Sequence, residues 1–544
     1  MSIIKEPKQF IIPIYQRTYS WQFKQCALLL KDIQAASKSE QGHFIGSIVY
    51  FQPDINTIAE INKYLVIDGQ QRLTTITLLI AALVKFIEKN PDCDVDTTAK
   101  KLKNYYLFNA EEDNDLYYKL LLTRRDKETL TNLLTNKPLP TKHSQRIIEN
   151  HDYFYKQIDK KNINKIYKGL QKLIVVDVAL ERDKDNPQLI FESLNSTGLN
   201  LSQADLIRNY ILMGQEASFQ KHLYETYWYP MEQSFGDNIS ALPWFMRDYL
   251  TMKLNSIPKI GEVYDTFKEY FINHKDKLGT ENIVQSLYEY SQYYVAIALQ
   301  KEEDKTLKSV FKEISKLRMD TSYPFLLAVY GDFKNEIITF DEFVELVNLI
   351  KNYVFRRAIC GIPTNSLNKT FATLYKSIIN ETYAQSLKAT FILMDGYRRF
   401  PDDAEFTRDL QLKDVYNFRS RNYLLESLEN FKRKELVNAE NYTIEHIIPQ
   451  NPKTSTEWQQ ELGENWKVLK EKYLHTLGNL SLTAYNSELS DRPFTNKKAI
   501  VGGFNESPLF LNKSVRVADI WNEEAINNRA GELAQRALKV WPSP

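Results

Sequence analysis

The sequence has 544 residues, of which 43% are hydrophobic and 26% are charged, so it has apolar material for several cores. No apolar run approaches the roughly 20 residues that span a bilayer, and the N-terminus lacks the charged-then-apolar layout of a signal peptide. We therefore expect a cytoplasmic protein with no membrane partner. A formal net charge of +1 neither favours nor excludes nucleic acid, because local clusters of Lys and Arg neutralise phosphates. Three widely separated cysteines exclude a disulfide framework and a local Cys-rich zinc site.

The first two hundred residues mix strands and helices. Short apolar runs with β-branched members predict strands at residues 44–50, 64–67 and 173–178. Apolar residues at steps of three and four, from Leu73 to Ile87, predict a long buried helix. Ser202 and Asp205 before an apolar run form a predicted capping box that opens a helix over residues 206–213.

The texture of the sequence changes at about residue 211. From there to residue 405, apolar residues at helical spacing dominate and Gly is sparse, which predicts an all-helical domain. Residues 406–544 return to short strands and helices. The prediction is a multidomain α+β protein, predominantly helical, with an α/β domain over residues 1–210, a helical connector over 211–405 and a mixed domain over 406–544.

The segment Asp68-Gly69-Gln70-Gln71-Arg72 stands where a predicted strand meets the start of the long helix. The first N–H groups of a helix are unpaired and its dipole favours negative charge there. Gly69 lets a ligand approach the backbone. The Arg72 guanidinium can form bidentate hydrogen bonds to phosphate oxygens, and the Asp68 carboxylate can bind a metal or a ribose hydroxyl. A nucleotide-phosphate site is one interpretation, and a plain Asp-Gly turn with solvated glutamines is the other. No Gly precedes a Lys, so a Walker A loop is absent.

Four motifs occur in order, at residues 12–21, 43–47, 68–72 and 191–201. Together they resemble the ParB-like N-terminal domain of the GmrSD family of modification-dependent restriction enzymes. The resemblance implies binding and hydrolysis of a nucleoside triphosphate, with GTP favoured. It also implies a nucleotide pocket lined by Gln16, Arg17, Asp68, Gly69, Gln70, Gln71 and Arg72, with Asn195 and Gly198 in a nearby loop. For Asp205 and Arg208, the capping box favours a structural role.

A second constellation begins with Glu445 and His446, between a strand-like Tyr442-Thr-Ile and Ile-Ile-Pro449. A second strand is predicted over residues 475–483, and Asn486 opens a predicted helix. Hydrolysis of a phosphodiester needs a base for water and a divalent cation for the phosphate charge. His446 can be neutral at physiological pH, and Glu and Asn side chains supply the oxygen ligands that Mg²⁺ takes. A lone His near a Pro is more often a satisfied structural residue, so the downstream Asn residues carry this prediction.

The set Glu445-His446-Ile-Ile-Pro449-Gln450, then Gly478-Asn479, then Asn486 resembles the C-terminal GmrSD domain. It also resembles the HNH (ββα-metal) domain of RNA-guided CRISPR nucleases. The resemblance implies His446 as general base, Glu445 and Asn486 as metal ligands, and Asn479 as the residue that holds the loop beneath the base. Lys497 completes the predicted catalytic set, and His475 is either a phosphate contact or a strand-end packing residue. The spacer over residues 450–474 is longer than in the CRISPR pattern, and Trp458 and Trp466 in it predict an inserted helix.

Basic pairs and clusters precede the predicted nuclease: Arg356-Arg357, Arg398-Arg399, Arg419 with Arg421, and Lys432-Arg433-Lys434. Each alone is typical of a solvated surface. Their concentration upstream of His446 is consistent with a DNA-facing strip, on which Tyr397, Tyr416 and Tyr423 could stack. The segment Arg421-Asn-Tyr-Leu-Leu425 also resembles an element of the GmrSD family at this place, and the resemblance favours a structural helix that leads into the nuclease.

These observations give the hypothesis of an antiphage restriction endonuclease that nicks or cleaves modified DNA under nucleotide control. Two alternatives remain open. One is a nucleotide-dependent, ParB-like DNA-binding switch without nuclease activity, and the other is a toxin-like nuclease that acts on host nucleic acid. The oligomeric state is also open, with a homodimer as one alternative, because a nicking domain needs two copies to break both strands.

Overall fold

The computed structural model describes residues 2–52, 61–180, 187–195, 201–451 and 455–544. The chain forms two compact units. Unit 1 consists of Met1–Pro230 and Tyr264–Gln285, and unit 2 of Met231–Val263 and Ser286–Pro544. The described residues are predominantly helical and include two small sheets, so the coarse fold class, a predominantly helical α+β protein, is confirmed. The domain boundaries after residues 210 and 405 stay a prediction.

The strands are β1 (Lys8–Ile11), β2 (His43–Phe51), β3 (Asn62–Asp68), β4 (Leu120–Leu121), β5 (Leu173–Leu180), β6 (Thr443–His446) and β7 (Leu480–Thr483). The first α-helices are α1 (Ser2–Lys5), α2 (Phe23–Ala36), α3 (Gln70–Lys89), α4 (Ala99–Leu102), α5 (Arg124–Leu134), α6 (Gln145–Gln157), α7 (Ile163–Gln171), α8 (Pro187–Asn195), α9 (Gln203–Leu212), α10 (Ala217–Leu223) and α11 (Tyr229–Phe235). They are followed by α12 (Leu242–Leu254), α13 (Val263–Leu278), α14 (Thr280–Ala298), α15 (Lys305–Lys316), α16 (Tyr323–Lys334), α17 (Phe340–Ile359), α18 (Leu367–Thr373), α19 (Tyr383–Leu393) and α20 (Asp403–Leu412). The last are α21 (Arg421–Asn430), α22 (Thr456–Leu462), α23 (Trp466–Tyr473), α24 (Asn486–Leu489), α25 (Phe494–Ala499), α26 (Lys513–Val517) and α27 (Glu523–Val540).

Unit 1 is organised around a five-stranded mixed sheet in the order β4-β1-β3-β2-β5. Strands β1 and β3 run parallel, and β2 pairs antiparallel with β3 and parallel with β5. The predicted strands at 44–50, 64–67 and 173–178 fall inside β2, β3 and β5. Irregular register interrupts the β2–β5 pairing between Phe44 and Ser47, at Gly46.

Helix α3 is the core helix of unit 1. Its apolar positions at steps of three and four are at most 1% exposed from Leu73 to Leu83, because the helix is surrounded by other elements such as α6. Among the described residues it is also the one helix long and apolar enough to cross a membrane, but 83% of that apolar window is buried inside the protein. The predicted long helix is confirmed, and so is the capping box of Ser202 and Asp205, which opens α9.

Residues 211–405 are described throughout and contain helices and turns without a strand, so the predicted all-helical region is confirmed. Within unit 2, α12 packs on α16, and α15 packs on α17.

The interpretation of Arg356-Arg357 as a solvated or DNA-facing pair is wrong. Both side chains are buried in unit 2, with 0% and 1% exposure. The Arg356 guanidinium donates to the carbonyls of Trp541 (2.7 Å) and Pro401 (3.1 Å) and pairs with Asp403. Arg357 donates to the carbonyls of Tyr397 and Pro363. Hydrogen bonds to these carbonyl groups replace the hydrogen bonds to water that burial removes, and they join segments that are distant in sequence.

Tyr423 is also unavailable for stacking on DNA, since it is 5% exposed and its hydroxyl accepts a hydrogen bond from Trp541. Tyr397, in contrast, is 72% exposed. Arg356, Arg357 and Tyr423 are therefore excluded from the predicted DNA-facing strip.

The C-terminal part of unit 2 carries β6 and β7, which pair antiparallel with His446 opposite Leu480. The second strand is shorter than predicted, because residues 477–479 form a 3₁₀ turn. The Arg529 guanidinium takes the carbonyls of Leu477 (2.7 Å) and Gly478 (3.0 Å), so these groups are not used in a strand ladder. The predicted inserted helix is two helices, α22 and α23. Gly463, at φ +80°, ends the first of them.

Candidate functional site

In unit 1, β3 ends at Asp68 and α3 begins at Gln70, with Gly69 between them at φ +94°. A Cβ on Gly69 would lie 2.9 Å from the Ser47 carbonyl oxygen, so glycine is required by both conformation and space. The first N–H groups of a 20-residue helix therefore lie directly at the C-terminal end of the central strand of the sheet. This is the strand-to-helix junction that favours an anion.

The three predicted glutamines at this junction are buried and bonded to backbone. The Gln16 side chain donates to the Ile67 carbonyl (2.9 Å) and Gln70 donates to the Arg17 carbonyl (3.1 Å). The oxygen of Gln71 accepts from the N–H groups of Ser20 (2.8 Å) and Trp21 (3.2 Å), and its nitrogen donates to the Thr18 carbonyl (3.3 Å). These amides tie the loop over residues 13–21 to the junction, so their observed contacts are positioning contacts.

Charged groups gather beside the same junction. The Arg72 guanidinium donates to the Ser47 carbonyl and lies 3.8 Å from the Asp68 carboxylate. A Cβ on Gly46 would be 2.8 Å from the Arg72 guanidinium carbon, so the irregularity of β2 at Gly46 makes room for this side chain. Burial lowers the pKa of Arg17, and the nearby carboxylates of Asp205 and Asp68 oppose that effect.

Arg208 is the residue that sequence reasoning left aside. It is 5% exposed, donates to the Tyr15 carbonyl (2.7 Å) and pairs with Asp205 (2.7 Å). Its positive charge also acts on Arg17, which places it beside the predicted set. The capping box hid this signal, because it explains Asp205 completely. Asn195 is the last residue of α8, and Gly198 lies outside the described residues.

In unit 2, β6 delivers Glu445 and His446 as consecutive buried residues, 3% and 5% exposed. The chain after β6 is held by Asn479, which is fully buried. Its side-chain oxygen accepts from the Ile448 N–H (2.8 Å) and from the Trp521 indole (3.3 Å), and its nitrogen donates to the Leu474 carbonyl (3.0 Å). Asn479 thereby fixes the turn that follows His446.

The His446 imidazole sits in a cluster of rings and amides. One ring nitrogen lies 2.7 Å from the Gln450 side-chain nitrogen, and the other lies 3.1 Å from His475 Nδ1. The Tyr416 ring stacks on His475 and meets His446 edge-on at 4.5 Å between centroids. Burial is the main cause that lowers the pKa of His446 to about 3, and the neighbouring charges of His475 and Lys497 act in the same direction. The ring is therefore neutral at physiological pH, with one lone pair on nitrogen.

Glu445 is paired inside the protein. Lys497 of α25 is fully buried, and its ammonium group lies 2.5 Å from one Glu445 oxygen and donates to the His446 carbonyl (2.9 Å). Burial raises the pKa of the Glu445 carboxyl, and the attraction of Lys497 opposes that rise. The sequence predicted Glu445 as a metal ligand and Lys497 as a member of the catalytic set, whereas in the structure the two side chains contact each other.

Asn486 begins α24, and its side-chain nitrogen donates to the Ile444 carbonyl (3.0 Å). That bond leaves the side-chain oxygen as a donor atom for a cation. The second carboxylate oxygen of Glu445 is the other candidate donor, because Lys497 uses the first. Two protein oxygens, completed by water and a phosphate oxygen, are a set that fits Mg²⁺.

The contacts of Tyr416, Gln450 and His475 around His446 were only partly foreseen. Gln450 belonged to the quoted motif without a role, and Tyr416 was considered only as a DNA-stacking residue. Asp414 stands near both His446 and His475. Burial raises its pKa, but hydrogen bonds from Asn417, together with the two histidines, outweigh that effect and lower it. No local spacing links residues 414–416 with 446 and 475, so the sequence carried no signal for this cluster.

Comparison with known proteins connects the two regions. Residues 2–212 match the model of the GmrSD restriction endonuclease N-terminal domain, and residues 400–536 match that of the GmrSD C-terminal domain. No curated protein matches the chain. The protein is thus a restriction nuclease, an enzyme whose substrate is DNA. The chain belongs to the GmrSD restriction endonuclease family.

Proposed function

We propose that the protein is a cytoplasmic antiphage enzyme that nicks or cleaves modified DNA at an HNH (ββα-metal) site, under the control of nucleotide binding and hydrolysis in unit 1. The observation that carries the nuclease part is a buried, neutral His446 at the end of β6, preceded by Glu445 on the same strand and with Asn486 of α24 bonded to the Ile444 carbonyl of that strand. The antiparallel pair β6–β7 followed by α24 has the order of a ββα unit.

The residues support the following chemistry. Bound Mg²⁺, held by Glu445 and Asn486, would offset negative charge on the scissile phosphate and on the leaving oxygen. With the Gln450 amide turned away from the ring nitrogen that it contacts here (2.7 Å), the lone pair of His446 would take a proton from water, while the water oxygen bonds to phosphorus. The bond from phosphorus to the leaving sugar oxygen breaks, and its electron pair stays on that oxygen. Tyr416 and His475 hold the imidazole plane, and Asn479 holds the turn that follows it.

For the nucleotide, the N-terminus of α3 and the guanidinium groups of Arg17 and Arg72 offer positive charge for phosphate oxygens. Asp68, at the end of β3, supplies a carboxylate for a ribose hydroxyl or a cation. The glutamines act through the loop they hold. GTP is the nucleotide we propose first.

The test separates the two activities. His446→Ala should lower nicking of supercoiled plasmid carrying modified bases, with Mg²⁺, by about 10²–10⁴-fold, since a general base contributes that much. Nucleotide hydrolysis by the same variant should be unchanged. His222→Ala, which alters a surface histidine paired with Glu281, is the matched control and should cut normally. Undiminished cleavage by the His446 variant would refute the nuclease assignment.

Arg72→Ala tests the nucleotide site in the same preparation. It should abolish binding of GTP measured by fluorescent-analogue titration, because it removes the guanidinium at the α3 terminus. Arg146→Ala is the control, as Arg146 is exposed and pairs with the neighbouring Glu149 on α6. Equal affinity in both variants would refute the assignment of this site.

A further inference from the structure

A cavity of about 360 Å³ lies within unit 2, among α12, α14, α18 and the turn that begins α16. Its lining residues fall between residues 244 and 368. Both family matches leave this stretch uncovered, because they end at residue 212 and resume at residue 400. Pockets for small organic groups start at about 300 Å³, so the volume suits a planar ring system.

Asp248 on α12 lines the cavity and is 8% exposed. Within the part of the chain that the structure describes, no hydrogen bond or ion pair engages its carboxyl group. The adjacent Arg247 also lines the cavity; its Nε donates to the Pro258 carbonyl (3.2 Å) and its guanidinium lies over the Trp244 ring. The carboxyl group of Asp248 therefore keeps its hydrogen-bonding capacity for a molecule in the cavity.

Burial raises the pKa of Asp248 to about 8; the positive charge of Arg247 opposes this rise, and the negative charge of Asp320 adds to it. At neutral pH the group is therefore mainly a carboxylic acid. Such an acid donates through its hydroxyl and accepts through its carbonyl, side by side. This pattern disfavours a simple cation as the ligand, because a cation needs the ionised form.

Aromatic side chains form the walls. Tyr294 and Tyr323 line the cavity with ring centroids 5.7 Å apart and planes at 82°. Trp244 also lines the cavity and is 47% exposed, so it can cover a ligand from the solvent side. Aromatic side chains stack on the face of any nucleobase, and each stacking contact strengthens binding of the base.

We propose that this cavity binds a nucleobase that carries an amino group next to an unprotonated ring nitrogen, as cytosine and adenine do. The Asp248 hydroxyl donates to the ring nitrogen and its carbonyl oxygen accepts from the amino group, while Trp244 and Tyr294 contact the ring faces. Asp320 at the rim is a further acceptor. Its negative charge favours an amino group over the oxygen that uracil and thymine carry in that place.

Two sources can present such a base: a nucleotide flipped out of DNA, or a free nucleoside. The DNA source rests on the proposed nuclease function. Flipping is the route by which proteins reach the pairing edge of a base in a duplex, and the released edge is read by hydrogen bonds and stacking. The experiment has one arm for each source.

Both arms use the full chain with His446→Ala, without Mg²⁺, so that binding is measured apart from cleavage. In the first arm, cytidine, adenosine and uridine are titrated by tryptophan fluorescence. Nucleosides lack phosphate and so lose the main attraction of the anion site of unit 1, and the Asp248 variants show which part of the binding belongs to the cavity. In the second arm, fluorescence anisotropy compares duplexes with one unpaired cytosine or one unpaired thymine. Asp248→Leu should weaken the favoured ligand by at least about 10-fold, and Asp248→Asn, which keeps a donor and an acceptor, should restore binding.

Preference for unpaired cytosine in the second arm identifies the DNA base as the ligand, and cytidine or adenosine binding alone identifies a free nucleoside. Both results support the pocket if Asp248→Leu removes them. The proposal would be overturned if neither arm shows binding. It would also be overturned if uridine binds as tightly as cytidine and unpaired thymine as tightly as unpaired cytosine, or if spermidine displaces the ligand. A failed nuclease assignment leaves these outcomes unchanged, because no cleavage enters the measurement.

Discussion

Lys497→Met should destabilise unit 2 strongly, because it leaves the Glu445 carboxyl buried without its counter-charge. The two groups are 0% and 3% exposed and lie 2.5 Å apart. The variant also removes the charged hydrogen bond from Lys497 to the His446 carbonyl. Methionine fills a similar volume, so the change isolates the lost charge from a cavity effect.

The expected magnitude follows from the burial of both partners. Removal of one member of a buried pair costs about 3–5 kcal/mol, since the remaining group must be desolvated alone or take up a proton. Glu445→Gln should cost a similar amount by leaving the ammonium group unpaired. In the double variant Glu445→Gln with Lys497→Met, neither charge remains. We therefore expect the double change to cost less than the sum of the single changes by about 2 kcal/mol or more.

Urea unfolding with EDTA present, followed by tryptophan fluorescence, measures all three free energies of unfolding without a competing cation. Lys388→Met is the matched control, since Lys388 pairs with Glu345 on the surface of unit 2, where both side chains are more than a third exposed. Exposed pairs of this kind contribute at most about 1 kcal/mol. Costs that add in the double variant, or a Lys497 variant no worse than the Lys388 control, would refute the reasoning.

Three further predictions concern the other buried groups. Gly46→Ala should weaken GTP binding and lower stability, because the added Cβ would lie 2.8 Å from the Arg72 guanidinium. Gly214→Ala is the control: Gly214 has φ +83° and no neighbour within 4 Å, so this change should lower the free energy of unfolding only by the backbone strain of about 1–2 kcal/mol. Calorimetry and analogue titration check both. Asn479→Ala should cost about 2–4 kcal/mol and lower plasmid nicking without affecting nucleotide hydrolysis, as the Ile448 N–H is left without its partner. For Asp248, whose folded pKa of about 8 exceeds the ordinary 3.8, the folded state holds a proton that the unfolded state releases between these values, so stability should fall by up to about 1.4 kcal/mol per pH unit from pH 4 to 8. Thermal unfolding of Asp248→Asn across that window should show a flatter decline, and an unchanged slope would contradict the assignment.

Local patterns predicted the elements that depend on local chemistry. The long helix α3 follows from its apolar steps, and α9 follows from a capping box made by residues three apart. Strands β2, β3 and β5 were visible as apolar β-branched runs, although their ends differ by one or two residues. The strand predicted over residues 475–483 was too long, because Arg529, some fifty residues later in the chain, takes two of its carbonyl groups.

Residues 356 and 357 show where such reasoning fails. Two adjacent arginines have the pattern of a solvated or phosphate-binding surface, and nothing nearby in the sequence contradicts that. Their partners include carbonyl groups of Trp541 and Pro401, which only the folded chain brings close. Asp248 is a second example. One acidic residue on a helix does not indicate in the sequence that residues distant along the chain form a cavity around it.

In both candidate sites, side-chain amides bind the protein backbone, and other side chains are assigned to the ligands. In unit 1 the amides of Gln16, Gln70 and Gln71 are used by backbone groups, and in unit 2 the amide of Asn479 is used in the same way. A side chain whose donors and acceptors are already occupied acts on a ligand by placing its neighbours. Loss of such an amide should therefore lower stability and activity together. Arg72 and His446 are assigned to the ligands themselves, although each also has a partner inside the protein, the Ser47 carbonyl and the His475 ring respectively. Their loss should lower activity more than it lowers stability, and this difference distinguishes contact residues from positioning residues in both units.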